Sequence, residues 1–542
     1  MHLAAGPARG VNENTKHQTP NTRKASSAKH QSRNGAADGT LVFGIWCFFG
    51  VWCLGLGVSA ASGLKTKTQH VLELLRLYES RNVTFIEPDD SWPIVWERAC
   101  GVHVWDAEGK KYLDLTAGFG VAATGHANTR VVKAGQQQME RLLHAMGDVH
   151  PHALKAQLAR ELSRITFERW RVSLNPSTVK SLNRVPVQRF NDSTVQRAKT
   201  IFCNSGFEAV ETALKTAIMA TGKRGIIAFE GAYHGLGYGA LNATHREHFR
   251  GPFRSQLGQF AHFVPLPEAG QASRLTQKTS DDCLKEIQED RRGACPTRER
   301  VEDCIQRLFR REQIGAILCE PIQVRGGINV PPPALLPLLR RLCDEHRALL
   351  ILDEVYTGFG RTGKWFACEH NEVIPDLICL GKALTGGFPL SACVGRADIM
   401  DAAWPPSNGE AIHTSTFLGH PVGCAMALAQ IKEIARLKLV RRSATLGRVL
   451  LEKLSALRAT RSTLSISCRG LGLLAGLEVR YPGGSPATKV ALQIIKTMIR
   501  RGFILLPEGE HANVISFTPP LTITERQLEN AVAALAEVLN HE

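Results

Sequence analysis

The sequence lacks the features that mark several classes of protein. None of its fourteen cysteines belongs to a CxxC pair, which argues against a zinc ribbon or a disulfide framework and indicates a reducing compartment. Aromatic residues make up only 6% of the chain and do not interleave with a basic face. The net charge of +16 is therefore better explained by a basic protein with small anionic substrates than by nucleic-acid binding.

A leader of residues 1–68 differs in composition from the rest of the chain. Its eight Lys and Arg residues against two Asp and Glu residues account for +6 of the net charge. Residues 40–63 carry no charge over 24 positions, enough to span a bilayer. A signal peptide that ends at Val58-Ser59-Ala60 is a second interpretation. Translation from a start assigned too far upstream is a third, in which the leader is not part of the mature protein.

The whole chain has the composition of a globular protein, with 44% hydrophobic and 21% charged residues. At about 100 to 200 residues per domain, its length predicts two to four domains. Residues 70–78 have the apolar spacing of a helix, and residues 102–106 and 111–115 that of two strands in a hairpin. Two polar stretches, near 169–199 and 270–312, are predicted to be surface insertions.

Three charged side chains follow short aliphatic runs. Residues 349–352 lead to Asp353, residues 377–380 to Lys382, and residues 314–318 to Glu320. Such runs are typical of parallel strands buried on both faces, whose carboxyl ends bind ligands. An amine and a carboxylate at this edge suit pyridoxal 5′-phosphate (PLP), which needs a lysine to bond to and an acid beside its ring nitrogen. Ordinary charges at strand ends are the alternative.

A second motif suits a phosphate group. A short strand at residues 200–203 runs into Ser205, and Glu208 completes a capping box that starts a helix. Free backbone N–H groups and the helix dipole favour an anion there, and Gly206 allows close approach. A plain capped helix is the alternative. Tyr233, in the loop 231–235, could lie flat on an aromatic ring or belong to a packed turn.

These motifs occur in an order that resembles the class III PLP-dependent aminotransferases, from about His70 to Glu542. The motifs are NSGFEAVETALK, GAYHG, CEPIQ, LDEVYTGFGRTG, GKALTGGFP and TSTFLGHP. The resemblance implies an α/β fold, the type I fold of PLP-dependent transferases, assembled as a homodimer with shared active sites. Its large, mostly parallel domain would cover residues 128–418, and a smaller α/β domain would combine residues 69–127 with 419–542.

The resemblance also implies roles for single residues. Lys382 matches the lysine that forms a Schiff base with PLP and acts as general base and acid, and Asp353 matches the partner of the pyridinium nitrogen. Because side chains alternate along a strand, Glu354 should point away from Asp353. The other residues expected to bind the cofactor are Gly206 and Phe207 through their backbone at the phosphate, Tyr233 and Val355 on opposite ring faces, Glu320, Tyr356 in place of a common Gln, and Thr416 from the neighbouring subunit.

Two departures from the family bear on the substrate. Many members that use 2-oxoglutarate have a Glu where this chain has Arg325, and an Arg where it has Ser516. We expect Arg325 to bind a substrate carboxylate through its planar fork, or else to point into solvent. The expected reaction moves an amino group from an ω-amino acid such as 4-aminobutyrate to a 2-oxo acid. N-acetylornithine, a diamine and glutamate semialdehyde are the alternative substrates.

Location and partners follow from the same reasoning. We expect a cytoplasmic enzyme without a metal or a nucleic-acid partner, and a membrane anchor only if residues 40–63 form a real span. The alternative of a different class is a membrane-tethered or nucleic-acid-binding protein that has kept the fold without the chemistry.

Overall fold

The computed structural model describes residues 65–170, 197–267, 298–457 and 464–541. The uncharged segment 40–63 and most of both predicted insertions lie outside these residues. Within the described ranges, no helix combines the length and the apolarity that crossing a bilayer requires.

The strands and helices are numbered in chain order. The strands are β1 (Trp96–Cys100), β2 (His103–Asp106), β3 (Lys111–Asp114), β4 (Ala198–Cys203), β5 (Gly225–Phe229), β6 (Ala261–Val264), β7 (Ile314–Cys319), β8 (Leu349–Asp353), β9 (Leu377–Leu380), β10 (Ser391–Arg396), β11 (Ser465–Gly470), β12 (Ala475–Arg480), β13 (Phe503–Ile504), β14 (Leu506–Glu508) and β15 (Val514–Phe517). Apart from the irregular turn Ala117–Gly120, the α-helices are α1 (Lys67–Tyr78), α2 (Thr129–Arg141), α3 (Ala153–Ser163), α4 (Gly206–Thr221), α5 (Tyr238–Ala243), α6 (Glu247–Arg250), α7 (Arg298–Arg311), α8 (Leu335–His346), α9 (Ala397–Ala403), α10 (Pro421–Arg436), α11 (Leu439–Ala456), α12 (Thr488–Arg500) and α13 (Glu525–His541).

A seven-stranded sheet in the order β4-β10-β9-β8-β7-β5-β6 forms the centre. The ladders from β6 to β9 are parallel, whereas β10 runs antiparallel to both β9 and β4. Every residue of β5, β7, β8 and β9 is buried, because aliphatic side chains on both faces are covered. The predicted strands and the predicted mostly parallel α/β fold are confirmed.

Two smaller sheets are formed by the strands that precede and follow those of the central sheet. The order β1-β2-β3-β13 includes the predicted hairpin, in which β2 and β3 are antiparallel, and β13 pairs parallel with β3 from far along the chain. The order β11-β12-β15-β14 is antiparallel throughout. Because Lys65–Glu542 forms a single compact unit, the domain boundaries predicted within it stay predictions.

Helix α1 begins three residues before the predicted start. The Thr66 hydroxyl accepts from the Gln69 backbone N–H at 3.1 Å, and the Gln69 side chain accepts from the Thr66 N–H at 2.9 Å. This capping box satisfies two donors that would otherwise be free. The predicted end of the leader, residue 68, therefore falls inside the first turn of a helix.

The predicted insertion near 270–312, whose charges indicate a solvated helix or loop, ends in a helix with a buried stripe. Its last residues form α7, whose Val301 and Ile305 are fully buried in the main core. These two residues are one helical turn apart, so they form an apolar stripe among many charges. The charges dominated the composition and concealed the stripe.

Candidate active site

Lys382 follows β9 in a short turn and has a positive φ of 41°. A left-handed backbone is unfavourable for a side chain with a Cβ, and such strain clusters at functional sites. The side chain is partly accessible, and its Nζ lies 4.3 Å from the centre of the Tyr356 ring. Burial lowers the pKa of Lys382, while the nearby Asp353 and Glu320 oppose that shift. The lowered pKa shifts the amine toward its neutral form, which is the nucleophilic one.

Asp353, the last residue of β8, has both carboxylate oxygens fixed. Oδ2 lies 2.8 Å from Nδ1 of His234, and Oδ1 accepts from the backbone N–H of Val355 at 3.1 Å. The backbone N–H of His234 in turn donates to the Thr244 hydroxyl at 2.9 Å. The carboxylate is thus held in one orientation at the edge of the sheet. His234 lay in a motif of the sequence, but its partner could not be read from that motif.

Glu320 holds the loop that carries Tyr233. Its carboxylate accepts from the backbone N–H of Tyr233 at 3.0 Å and of Val324 at 3.4 Å. Burial is the main cause that raises the pKa of Glu320 to about 7, and the nearby His234 side chain opposes that rise. Glu320 orients the Tyr233 loop, and its predicted contact with a cofactor stays a prediction.

The N-terminus of α4 has the form expected of an anion site. The Glu208 carboxylate accepts from the N–H of Asn204 at 2.6 Å and of Ser205 at 3.1 Å, which is one half of the predicted capping box. The Ser205 side chain faces the N–H of Glu208, as the other half of the box requires, but its buried hydroxyl completes no hydrogen bond among the described residues. A Cβ built on Gly206 would lie 2.9 Å from Cγ1 of Val355. An unpaired hydroxyl beside the first N–H groups of a helix fits a phosphate.

The side chain of Phe207 packs on a loop of glycines. Cβ atoms built on Gly235 and Gly237 would lie 2.3 and 2.4 Å from Phe207 side-chain atoms. Glycine at both positions makes room for the ring. The backbone of Phe207 remains at the start of the helix, where its predicted role lies.

The ring of Tyr356 lies against Lys382, and its hydroxyl points toward Thr518. The hydroxyl is 3.3 Å from Oγ1 of Thr518, which itself donates to the Thr116 carbonyl at 3.0 Å. A Cβ on Gly120 would meet the Tyr356 ring at 2.7 Å, so this glycine, at φ 77°, lets the ring fit. Burial raises the pKa of Tyr356 to about 12, so the phenol stays protonated at neutral pH.

Glu354 points away from Asp353, as strand alternation predicted. Its carboxylate accepts from the Thr357 hydroxyl at 2.9 Å and from the backbone N–H groups of Ala367 at 2.6 Å and Cys368 at 2.9 Å. Through these hydrogen bonds Glu354 fixes the loop that follows β8.

Arg325 forms an ion pair instead of pointing into solvent. Its Nη1 lies 2.9 Å from Oε2 of Glu508, whose side chain is only 1% exposed. The guanidinium carbon is also 5.8 Å from the Tyr233 ring centre and 6.0 Å from that of Phe119. Glu508 was missed in the sequence because 183 residues separate the two.

Thr416 is exposed on the turn before α10. Its predicted role requires a second subunit, so it stays a prediction.

Comparison with known proteins decides the class. A family model described as aminotransferase class-III matches residues 85–539. The chain belongs to the class-III aminotransferases. Its relatives within this family include the acetylornithine aminotransferase of Methanosarcina mazei, 34% identical over 82% of this chain and 91% of that one. The 5-aminovalerate aminotransferase of Pseudomonas aeruginosa is 35% identical over 82% of this chain and 93% of its own length.

Solved structures agree with the family. An amine transaminase from an uncultivated Pseudomonas species, solved with PLP bound, has a TM-score of 0.68 and 26% identity, and the match covers 85% of this chain and 97% of that one. The predicted family, enzyme class and type I fold are therefore confirmed for this class-III aminotransferase.

Proposed function

We propose that this class-III aminotransferase uses PLP to move an amino group from an ω-amino acid, 4-aminobutyrate or a close homologue, to a 2-oxo acid. The observation that carries the proposal is the amine of Lys382 close to the fixed carboxylate of Asp353, at the carboxyl ends of adjacent parallel strands. The relative named for 5-aminovalerate supports the choice of donor.

The side chains of the site fit PLP at each of its functional ends. The unpaired Ser205 hydroxyl and the N–H groups of Gly206 and Phe207 would hold the phosphate. Asp353 would hold the ring nitrogen, with Val355 and Tyr233 beside the ring. When bound, PLP supplies an electron sink for the negative charge that develops beside the substrate nitrogen.

Lys382 supplies the proton transfers. Its lowered pKa increases the share of neutral amine, the form that can take a proton from the substrate carbon and return one. Asp353 must remain negative to keep the ring nitrogen protonated. The hydrogen bond from His234 stabilises that charged form without competing for the same lone pair.

Arg325 is the proposed carboxylate contact of the substrate. Its guanidinium has a partner in Glu508 and is still 30% exposed, so it can reach a group that enters from solvent. A planar guanidinium pairs with a carboxylate through two parallel hydrogen bonds. A donor with one carboxylate would therefore bind at Arg325 with its amine directed toward Lys382.

The assembly we propose is a homodimer in the cytoplasm, with Thr416 of the partner subunit at each phosphate. Exposed apolar side chains along residues 139–149 support a covered surface. They are Met139, Leu142, Leu143, Met146 and Val149. Sedimentation of the full chain tests the homodimer, and cell fractionation tests the cytoplasmic location. Recovery in the membrane fraction, with peptides from before residue 40, would replace a cytoplasmic enzyme with an anchored one.

A donor and acceptor panel tests the function. Purified protein is assayed with 4-aminobutyrate, 5-aminovalerate, N-acetylornithine and a diamine against pyruvate and 2-oxoglutarate, with Lys382→Ala as the matched control. We expect turnover of an ω-amino acid, and a loss in Lys382→Ala of at least about 10²-fold, the scale of general acid–base catalysis. Absence of turnover with every pair, or undiminished turnover in Lys382→Ala, would contradict the proposal.

A further inference from the structure

The side chain of Arg469, on β11, binds the backbone of a turn that lies far away in the sequence. Its Nε donates to the carbonyl oxygens of Gly327 and Ile328, at 3.1 Å each, and its Nη2 donates to that of Gly327 at 2.7 Å. The part of the chain that the structure describes contains no other donor to these two oxygens. One guanidinium group therefore satisfies both carbonyls of the turn.

The turn that Arg469 binds is strained. Gly327 and Ile328 both have a positive φ, 116° and 56° respectively. The second value is unfavourable for a β-branched residue, because in a left-handed backbone the Cβ comes too close to the following carbonyl oxygen. The Ile328 side chain is nevertheless fully buried. The turn therefore needs contacts from outside to keep this conformation.

Strands β11 and β12 supply those contacts on two sides. Arg469 lies opposite Gly476 in their antiparallel register. A Cβ built on Gly476 would lie 3.1 Å from the Cβ of Ile328, so the glycine leaves room for the Ile328 side chain. The Nη1 of Arg469 donates to Oε2 of Glu478 at 2.6 Å, and this charge-assisted hydrogen bond fixes the guanidinium.

The position of Arg325 depends on the same turn. Gln323 and Asn329 pair as an antiparallel bridge, which closes the loop 324–328 that contains Arg325. In a loop this short, a change of φ near one end must be absorbed by the residues beside it. If Ile328 left its strained conformation, the backbone of Arg325 would therefore move.

We propose that Arg469 is a positioning residue for substrate recognition, because it holds the loop 324–328 in the conformation that directs Arg325 at the carboxylate of the amino donor. The Arg469 guanidinium is committed to Glu478 and to the two carbonyls, so it acts on the donor only through Arg325. This inference rests on the proposed function, in which Arg325 binds the donor carboxylate.

Two small molecules separate affinity from chemistry. 5-Aminopentanoate is assayed as the donor, and pentanoate, which has the carboxylate without the amine, is titrated into the PLP-loaded enzyme by calorimetry. In Arg469→Met we expect KM for 5-aminopentanoate and Kd for pentanoate to rise roughly 10-fold, the scale of one charge-assisted hydrogen bond, with kcat changed by less than about twofold. A role in stability alone would lower kcat through loss of folded enzyme and leave both KM and Kd unchanged.

Three further variants calibrate the result. Arg480→Met is the matched control, because Arg480 also pairs with Glu478, at 2.7 Å, but has no hydrogen bond to the turn. It should bind pentanoate as the wild type does. Arg469→Lys keeps a cation that can donate to the carbonyls, although without the fork, and should recover part of the affinity. Arg325→Gln measures the full loss that misplacement of Arg325 can cause.

The outcomes separate this inference from the proposed function. If Arg325→Gln weakens pentanoate binding and Arg469→Met does not, or if Arg480→Met weakens it equally, the positioning role is wrong. If Arg325→Gln leaves pentanoate binding unchanged, the carboxylate contact and the positioning role are both wrong. If the wild type binds pentanoate but transfers no amino group from 5-aminopentanoate, the proposed donor is wrong and the Kd values still decide the role of Arg469. If Arg469→Met does not fold, Arg469→Gln takes its place, since its shorter amide can donate to Glu478 but cannot hold both carbonyls.

Discussion

His234 Nδ1 lies 2.8 Å from Asp353 Oδ2, and the two residues are only 3% and 7% exposed. An imidazole with a carboxylate acceptor carries its proton on the nitrogen that faces that acceptor. The His234 imidazole therefore acts as a fixed donor that holds the Asp353 carboxylate at the end of β8. The other side of this carboxylate is available to the ring nitrogen of a cofactor.

Loss of the negative charge at Asp353 should abolish most of the catalysis while the fold survives. Asp353→Asn has nearly the same shape but cannot keep a ring nitrogen protonated, so we expect kcat to fall by about 10²-fold or more. Steady-state kinetics and circular dichroism measure the two effects. The matched control is Asp401→Asn, an exposed carboxylate. Equal activity of both variants would remove Asp353 from the site.

A methyl group at the start of α4 should weaken cofactor binding. In Gly206→Ala the new Cβ would lie 2.9 Å from Val355, and the displacement of either would disturb the phosphate cup and the ring contact together. We expect a free-energy loss of about 1 to 3 kcal/mol, the scale of overpacking. Equilibrium dialysis against PLP measures it. Gly483→Ala, whose Cβ would meet nothing within 4 Å, should bind PLP as the wild type does.

The Arg325–Glu508 ion pair should contribute to the free energy of unfolding. Arg325→Gln leaves a buried carboxylate without its cation, so urea unfolding should show a loss of about 1 to 3 kcal/mol, reduced because Arg325 is 30% exposed. The double variant with Glu508→Gln removes the uncompensated charge and should recover part of the loss. A double variant as unstable as the sum of its single variants would mean that the two side chains do not interact.

The site could be predicted from the sequence where local pattern decides structure. The strand that precedes Lys382 and the strand that ends at Asp353 could be predicted, because a strand buried on both faces is a run of consecutive aliphatic residues. Contacts between distant segments left no such pattern. The Tyr356 hydroxyl meets Thr518, 162 residues away. The Arg325–Glu508 pair likewise depends on how β14 packs, which single positions do not reveal.

Glu320 should make stability depend on pH. Its pKa is raised from 4.5 to about 7, so the folded state holds its proton while the unfolded state loses it. This contribution is fully present below about pH 4.5 and is lost as the pH rises to about 7. Glu320→Gln lacks this titration and so loses no stability from it as the pH rises. The free energy of unfolding of the variant minus that of the wild type should therefore increase by about 2 to 4 kcal/mol over that interval. A pH-independent difference would contradict the raised pKa.

The central claim is that Lys382 bonds covalently to the cofactor. Borohydride reduction of the purified protein, followed by peptide mapping, tests it most directly. The account predicts a yellow protein in which reduction fixes one pyridoxyl group per chain on Lys382, and none in Lys382→Ala. A pyridoxyl group on any other lysine, or a wild-type protein that takes up no PLP, would contradict it.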